Sequence, residues 1–208
     1  MRDGLKALAH AVAWIAVTPS VLSYRLRAAV MGADRAIEGS TQAWALVPGL
    51  PGQYLRRAFL CRTLKACART ATIEFGTLFS SASATIGERA YVGPRCHLGW
   101  AIIENDVLVA AGVHVPSGGR LHGIDDVTIP IRDQETTRVA VRIGAGSWIG
   151  SAAIVMADVG RDSVIAAGAV VTRPIPDRTI AGGVPARVLR HREQQPELTL
   201  VRGAGKGA

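Results

Sequence analysis

From residue 86 onward an aliphatic side chain recurs at every sixth position, usually followed by Gly or Ala. Ile86, Val92 and Leu98 open the series, and Ile103, Val109, Val115 and Leu121 continue it after one five-residue step. Ile143, Ile149 and Val155 resume it beyond an interruption, and Val159, Ile165 and Val171 follow after one four-residue step. Gly87, Gly93, Gly99, Gly144, Gly150 and Gly160 stand directly behind their aliphatic partners, with Ala110 and Ala166 in the same place. A second small or β-branched position lies four residues after the aliphatic one: Ala90, Cys96, Val107, Val113, Ser147, Ala153, Ser163 and Ala169. An isolated helix repeats every 3.6 residues and a strand every two, so this period fits neither. It fits a parallel β-helix, in which each short strand turns a corner and stacks on the coil below. One aliphatic per face points inward, each contributing about 1.5–3 kcal/mol by leaving water. Gly and Ala behind it suit corners that need positive φ or close backbone approach. A sandwich of short strands would space its turns at about 8–12 residues and alternate in polarity.

The front third follows another pattern. Residues 4–31 read as helical and apolar, with a break or bend at Pro19. A membrane-spanning helix needs about 20 apolar residues; this run is shorter and contains Lys6 and His10. Asp3 spoils the basic start of a signal peptide. A second helix is predicted over 52–68, with Arg62, Lys65 and Arg69 on one face and Leu60, Leu64 and Cys67 on another. Two roles fit such helices: capping the open end of the solenoid and peripheral contact with an anionic membrane surface. The predicted organisation is therefore a helical, basic extension at 1–71, a β-helix at 72–190 with an excursion at 122–140, and a flexible tail at 191–208.

Composition sharpens this picture. The 208 residues allow one domain and an appendage, and 49% hydrophobic against 19% charged residues exclude wholesale disorder. Three cysteines, Cys61, Cys67 and Cys96, form an odd number without metal-ligand spacing. That pattern points to a reducing compartment, hence a cytoplasmic location, and away from a disulfide scaffold. Residues 1–71 carry ten Lys or Arg and three Asp or Glu, 10 − 3 = +7, against 14 − 13 = +1 for residues 72–208. A nearly neutral repeat region argues against nucleic acid as a partner.

Candidate chemistry lies where the rhythm stops, between Leu121 and Ile143, because excursions from a regular scaffold carry function more often than the scaffold does. His122 begins the excursion beside Gly123, with Asp125 and Asp126 close behind. An imidazole can act as a general base near neutral pH, although a lone histidine in a turn is more often an ordinary turn residue. His97 and His114 lie inside regular repeats, and their spacing to His122 suggests no zinc triad on one coil.

Several segments together resemble the hexapeptide-repeat acyltransferases, in particular the maltose, galactoside and xenobiotic acetyltransferase branch and, within it, capsule and exopolysaccharide O-acetyltransferases. Ser117-Gly118-Gly119-Arg120-Leu121-His122-Gly123-Ile124-Asp125-Asp126, followed by Ile129-Pro130-Ile131-Arg132, is similar to the family's catalytic loop. Ser147-Trp148-Ile149-Gly150-Ser151 is similar to its coil entry. Ile165 to Arg173 and Ala181-Gly182-Gly183-Val184-Pro185-Ala186-Arg187 are similar to its closing segments. The resemblance implies an all-β fold, a left-handed parallel β-helix with an N-terminal helical extension, despite the usual right-handed crossover preference. It implies a homotrimer with active sites between subunits, and direct acetyl transfer from acetyl-CoA to a sugar or glycan hydroxyl; the basic, partly apolar front third adds a lipid-linked or exopolysaccharide precursor as a candidate acceptor.

By motif match, His122 is the catalytic base, and Gly150, Ser151, Ala167, Gly168, Thr172, Arg173 and Arg187 meet the acetyl-CoA. Asp125, Asp126 and Trp148 are the candidate substrate contacts, and no metal is expected. The stretch Ile154–Gly160 is shorter than two repeats, so the coil must tighten there or skip a corner. The alternatives are a metalloenzyme resembling the γ-class carbonic anhydrases and a non-catalytic trimeric scaffold.

Overall fold

The computed structural model describes residues 2–119 and 121–193, without the side chains of Arg2, Asp3, Leu5 and Lys6. Four helices, α1 (Arg2–Ala16), α2 (Thr18–Met31), α3 (Ala33–Ala45) and α4 (Gly49–Leu60), precede a solenoid of about six turns. All its strand pairings are parallel except the last. The tail expected from residue 191 lies outside the described residues from 194 onward.

Three sheets form the solenoid's faces. The first holds β1 (Ala66–Cys67), β4 (Thr85–Ile86), β7 (Ala101–Ile103) and β10 (Val141–Ile143). The second holds β2 (Thr72–Ile73), β5 (Tyr91–Val92), β8 (Leu108–Val109), β11 (Trp148–Ile149), β13 (Val164–Ile165) and β15 (Thr179–Gly182). The third holds β3 (Leu78–Phe79), β6 (His97–Leu98), β9 (His114–Val115), β12 (Ile154–Val155) and β14 (Val170–Val171). Finally β16 (Arg187–His191) folds back antiparallel on β15 and covers that edge of the second sheet.

The interior is the aliphatic ladder read from the sequence. Ile86, Val92, Leu98, Ile103, Val109, Val115, Ile143, Ile149, Val155, Val159, Ile165 and Val171 are all buried. The second small position is buried as well, from Ala90 and Cys96 to Ser163 and Ala169. Leu121 leaves the series: it is half-buried outside the ladder, because the chain departs from the coil just after Val115.

Two corner positions divide the work that the sequence reading assigned to one. The glycines behind the aliphatics have ordinary φ but no room for a side chain. A Cβ at Gly93 would sit 2.7 Å from Ala110 C, and one at Gly150 would sit 2.5 Å from Ala167 N. Positive φ falls instead three residues after the aliphatic, at Arg89, Arg95, Asp106, Gly112, Gly146, Ala152, Asp162 and Gly168.

The irregular steps also have one location. Passage from first face to second, and from second to third, always takes six residues, as in Ile86–Val92–Leu98 and Ile143–Ile149–Val155. Only the corner from the third face back to the first varies: 79 to 86, 98 to 103, 155 to 159 and 171 to 175. The tight step at Ile154–Gly160 is one of these, with Val159 bridging Ile143 and Ile175 in place of a full strand. The long excursion leaves at this same corner, between Val115 and Val141.

The helices cap the first coil. Pro19 sits in the first turn of α2, where it needs no hydrogen-bond partner, and its ring cannot follow the carbonyl of Ile15. The chain therefore bends by 44° between α1 and α2. Val17, Val21, Tyr24, Ile37 and Phe59 join Ile73 and Phe79 in one core. Fully buried Arg56 ties the cap down, donating to Ile73 O (3.0 Å), Val47 O (2.6 Å) and Trp44 O (3.3 Å). The helix predicted over 52–68 ends at Leu60, because the coil takes the later backbone donors: Lys65 N bonds Ala82 O and Ala68 N bonds Ile86 O, both at 2.8 Å. Lys65 and Arg69 thus belong to the first coil and not to a helical face.

The two corner positions predict different penalties. Gly93→Ala is expected to cost about 3 kcal/mol, because backbone must move. Gly112→Ala, with nothing nearer than 4.0 Å to the new Cβ, should cost about 1 kcal/mol for its left-handed φ. Chemical denaturation of the two variants gives the comparison.

Candidate active site

The excursion is a braced hairpin. Its legs are held at the base by Val139 N to Ser117 O (3.0 Å), then by Thr137 N to Leu121 O (3.0 Å) and Gly123 N to Glu135 O (2.8 Å). His122 sits between these rungs, bridged to Thr136, with its side chain exposed. At the tip the Asp126 carboxylate accepts from Thr128 N (2.8 Å) and Thr128 Oγ1 (2.6 Å). Those bonds hold its carboxyl below the usual range. Gln134 Nε2 donates to Asp126 O (2.7 Å) and Ile129 O (3.0 Å) across the loop. Asp126, read as a substrate contact, is thereby engaged in shaping the tip, while Asp125 stays exposed.

A second brace comes from far away in the chain. Asp34, near the start of α3, accepts from Ala82 N (2.9 Å) and Ser81 Oγ (3.2 Å) at a solenoid corner. Its other oxygen pairs with Arg138 Nη1 at 2.5 Å on the returning leg of the excursion. One carboxylate thus joins cap, coil and loop.

Between α3, the third face and the excursion runs a groove of about 570 Å³, lined by Asp34, Glu38, His97, His114, Leu121 and Arg138, among others. His97 and His114 are register partners in successive coils, with ring centroids 6.0 Å apart edge to face. Burial, and then the neighbouring His114, lower the His97 pKa against the opposing pull of Glu38. Sequence reading passed over this pair as ordinary repeat positions. The signal that marks it is the separation from 97 to 114, one coil of two six-residue steps and one five-residue step. His122 follows the groove-lining Leu121, but its own side chain is not among the lining residues of one protomer.

The residues matched to an acyl donor fall in two places. Gly150–Ser151 and Ala167–Gly168 stack on successive coils at the corner between second and third faces, with Gly168 N bonded to Ser151 O at 2.8 Å. Ser151, Ala167 and Gly168 are exposed there, and Gly150 is buried. Arg187 pairs with Gly182 at the end of the same line of corners. Thr172 and Arg173 lie beyond β14, at the neighbouring corner. Trp148 projects from the second face, half exposed, beside its register partner Leu108. Among the described residues no group of three His, Cys, Asp or Glu side chains could hold a metal ion.

Residues 140–173 match the family model described as the hexapeptide repeat of succinyl-transferase. The chain is also 28% identical over 163 residues to the galactoside O-acetyltransferase of Escherichia coli (strain K12), covering 68% of this chain and 80% of the relative. In sequence and in fold the chain is similar to the hexapeptide-repeat acyltransferases. A probable acetyltransferase of Mycobacterium tuberculosis is 40% identical over 85 residues, 40% of this chain, and the matched part spans only 28% of that relative's length. Among solved structures, a galactoside acetyltransferase in complex with coenzyme A shares the fold, with a TM-score of 0.62, 23% identity and coverage of 83% of this chain and 82% of that one.

The depressed His97 pKa predicts a pH dependence of stability. Above about 6.5, the ordinary imidazole value, His97 is neutral in both folded and unfolded chains and contributes no pH dependence. Below it the unfolded chain takes up the proton first, so stability falls with pH until the lowered folded value is passed. Thermal melts across this window should show that loss in the wild type and a flatter profile in His97→Gln.

Proposed function

We propose that this chain belongs to the hexapeptide-repeat acyltransferases and transfers an acetyl group from acetyl-CoA to a hydroxyl of a sugar or glycan, directly and with His122 as the general base. The observation that carries this reading is the single break in the solenoid. At one corner a doubly braced hairpin lifts an imidazole beside a polar groove, while the other two corners keep their six-residue steps. His122 takes the hydroxyl proton as the oxygen attacks the thioester carbonyl, and the CoA thiolate then leaves. Backbone N–H groups at a corner oppose the charge on the tetrahedral oxygen. Asp34, Glu38, His97 and His114 give the groove carboxylates and ring nitrogens suited to the hydroxyls of a sugar ring.

The donor is a substrate, and the small-residue corner line suits its extended pantetheine arm. At Ser151, Ala167 and Gly168 little side chain stands between a ligand and the backbone. Arg187 and Arg173 supply exposed guanidiniums for its phosphates. The fit of coenzyme A to a related solenoid supports this placement.

A neighbouring protomer completes the site in this reading, since one chain's groove lacks the His122 side chain. Leu108 and Trp148, 45% and 49% exposed on the second face, give a trimer an apolar contact. Light scattering should find three copies per particle, and Leu108→Glu should dissociate them with loss of turnover.

An assay of CoA thiol release against sugars and glycans tests the activity. His122→Ala is expected to lower kcat by about 10²–10⁴-fold, while CoA still raises the melting temperature of the variant. Turnover unchanged in His122→Ala would remove this imidazole from the mechanism.

A further inference from the structure

The outer surface of the cap is a continuous apolar stripe that nothing in the chain covers among the described residues. Leu8, Val12 and Ile15 on α1, and Leu22, Leu26 and Val30 on α2, are 61%, 58%, 73%, 53%, 72% and 86% exposed. With Pro19 between them, their spacings of three and four residues carry one helical face across the bend at Val17. The opposite sides of the same helices, Ala13, Val17, Val21 and Tyr24, are buried in the cap core. Each helix is thus half committed to protein and half bare.

The charge along the stripe has one sign. From Gly4 to Ala33 there is no Asp or Glu. Arg25 is exposed on α2. Beside α1 lies a largely apolar hollow of about 520 Å³ bounded by Trp14, Ile15, His10, Arg57, Cys61 and Arg69. Ile15 belongs both to this hollow and to the stripe. The guanidiniums of Arg62 and Arg69 stack on Trp14 at 5.3 and 5.0 Å, and that of Arg57 lies 4.9 Å over Tyr54. None of these three arginines forms an ion pair among the described residues. Aromatic rings hold the charges in place without neutralising them.

An apolar face about two helices long, bordered by cations and without a carboxylate between Gly4 and Ala33, matches the boundary between acyl chains and anionic headgroups. A second copy of the cap fits less well, because it would bring the same +7 (10 − 3) of residues 1–71 against itself. No single helix among the described residues is long and apolar enough to cross a membrane. With one side of each helix already packed, insertion is confined to the outer face.

We propose that the outer face of α1 and α2 docks on the surface of a bilayer containing anionic phospholipid, its leucines, valines and isoleucine entering the acyl boundary and Arg25 and Arg69 meeting lipid phosphates. α2 packs on α3, and α3 walls the groove through Asp34 and Glu38. Docking therefore holds the groove next to the membrane, so its acceptor is a glycan carried on a membrane lipid. That last step rests on the acetyl-transfer reading; the docking itself does not.

The experiment is co-flotation of the full chain with vesicles of phosphatidylcholine alone and of phosphatidylcholine mixed with phosphatidylglycerol. The wild type should float with the mixed vesicles and much less with the neutral ones, and high salt should weaken it. Leu26→Asp combined with Val30→Asp, at exposed positions that leave the core intact, should lower the bound fraction by about tenfold. Arg25→Glu with Arg69→Glu gives a second, independent loss confined to the anionic vesicles. Flotation equal in wild type and both variants, or absent for the wild type, overturns the proposal. So does a self-associated species that Leu26→Asp breaks in the absence of vesicle binding, which would make a second copy the occupant. Acetyl transfer to a water-soluble acceptor should be unchanged in Leu26→Asp/Val30→Asp. A chain that floats but never releases CoA thiol would keep the docking and discard the transferase reading.

Discussion

The constraint on which this structure depends is the contact between successive coils at their corners. Parallel strands stack about 4.8 Å apart, and at the glycines behind each inward aliphatic the backbones approach until no Cβ fits. The neighbouring peptide would lie 2.4 to 2.9 Å away at Gly93, Gly144, Gly150 and Gly160. Only that closeness lets each Ile or Val reach its equivalents above and below and exclude water from so thin an interior. The ladder supplies the burial, and the glycines set the pitch at which burial is complete.

Regularity on two corners leaves the third free to vary. Because all changes in step length fall between the third face and the first, the chain can lose a residue there, as at Val155–Val159, or extrude a hairpin, without shifting any strand's register. The excursion carrying His122 uses this freedom. Its shape then comes from side chains: Asp126 and Gln134 fix the tip, and Asp34 on α3 anchors the returning leg through Arg138. The ion pair is half exposed, so its importance lies in fixing the loop's position rather than in stability, since exposed pairs contribute little.

The helical cap is more than a lid on the first coil. Arg56 costs desolvation, which lowers its pKa. Its Nε and Nη1 donate to carbonyls at and just beyond the end of α3 and on β2. This fastens α3 where it can wall the groove, and it leaves α1 and α2 outermost with an apolar face bordered by arginines. Cap, groove and loop then follow one another through direct packing, which gives the front third a part in shaping the groove.

The sequence by itself determined what depends on local periodicity. The six-residue rhythm requires coils, the glycines mark their close contacts, Pro19 breaks the first helical run, and the interruption after Leu121 singles out the segment with His122. These features are legible because each is set by backbone geometry within a few residues. Leu121 kept the rhythm by coincidence and lies outside the ladder; the helix ending at Leu60 was misread because its next backbone donors find partners on a coil some twenty residues ahead. Tertiary structure alone decided that Asp34 would meet Arg138 across 104 positions, that His97 and His114 would share a groove with α3, and that Asp126 would serve the loop. Those pairings are set by the number of residues at one variable corner and by how the cap sits on the first coil, and neither leaves a repeating trace along the chain.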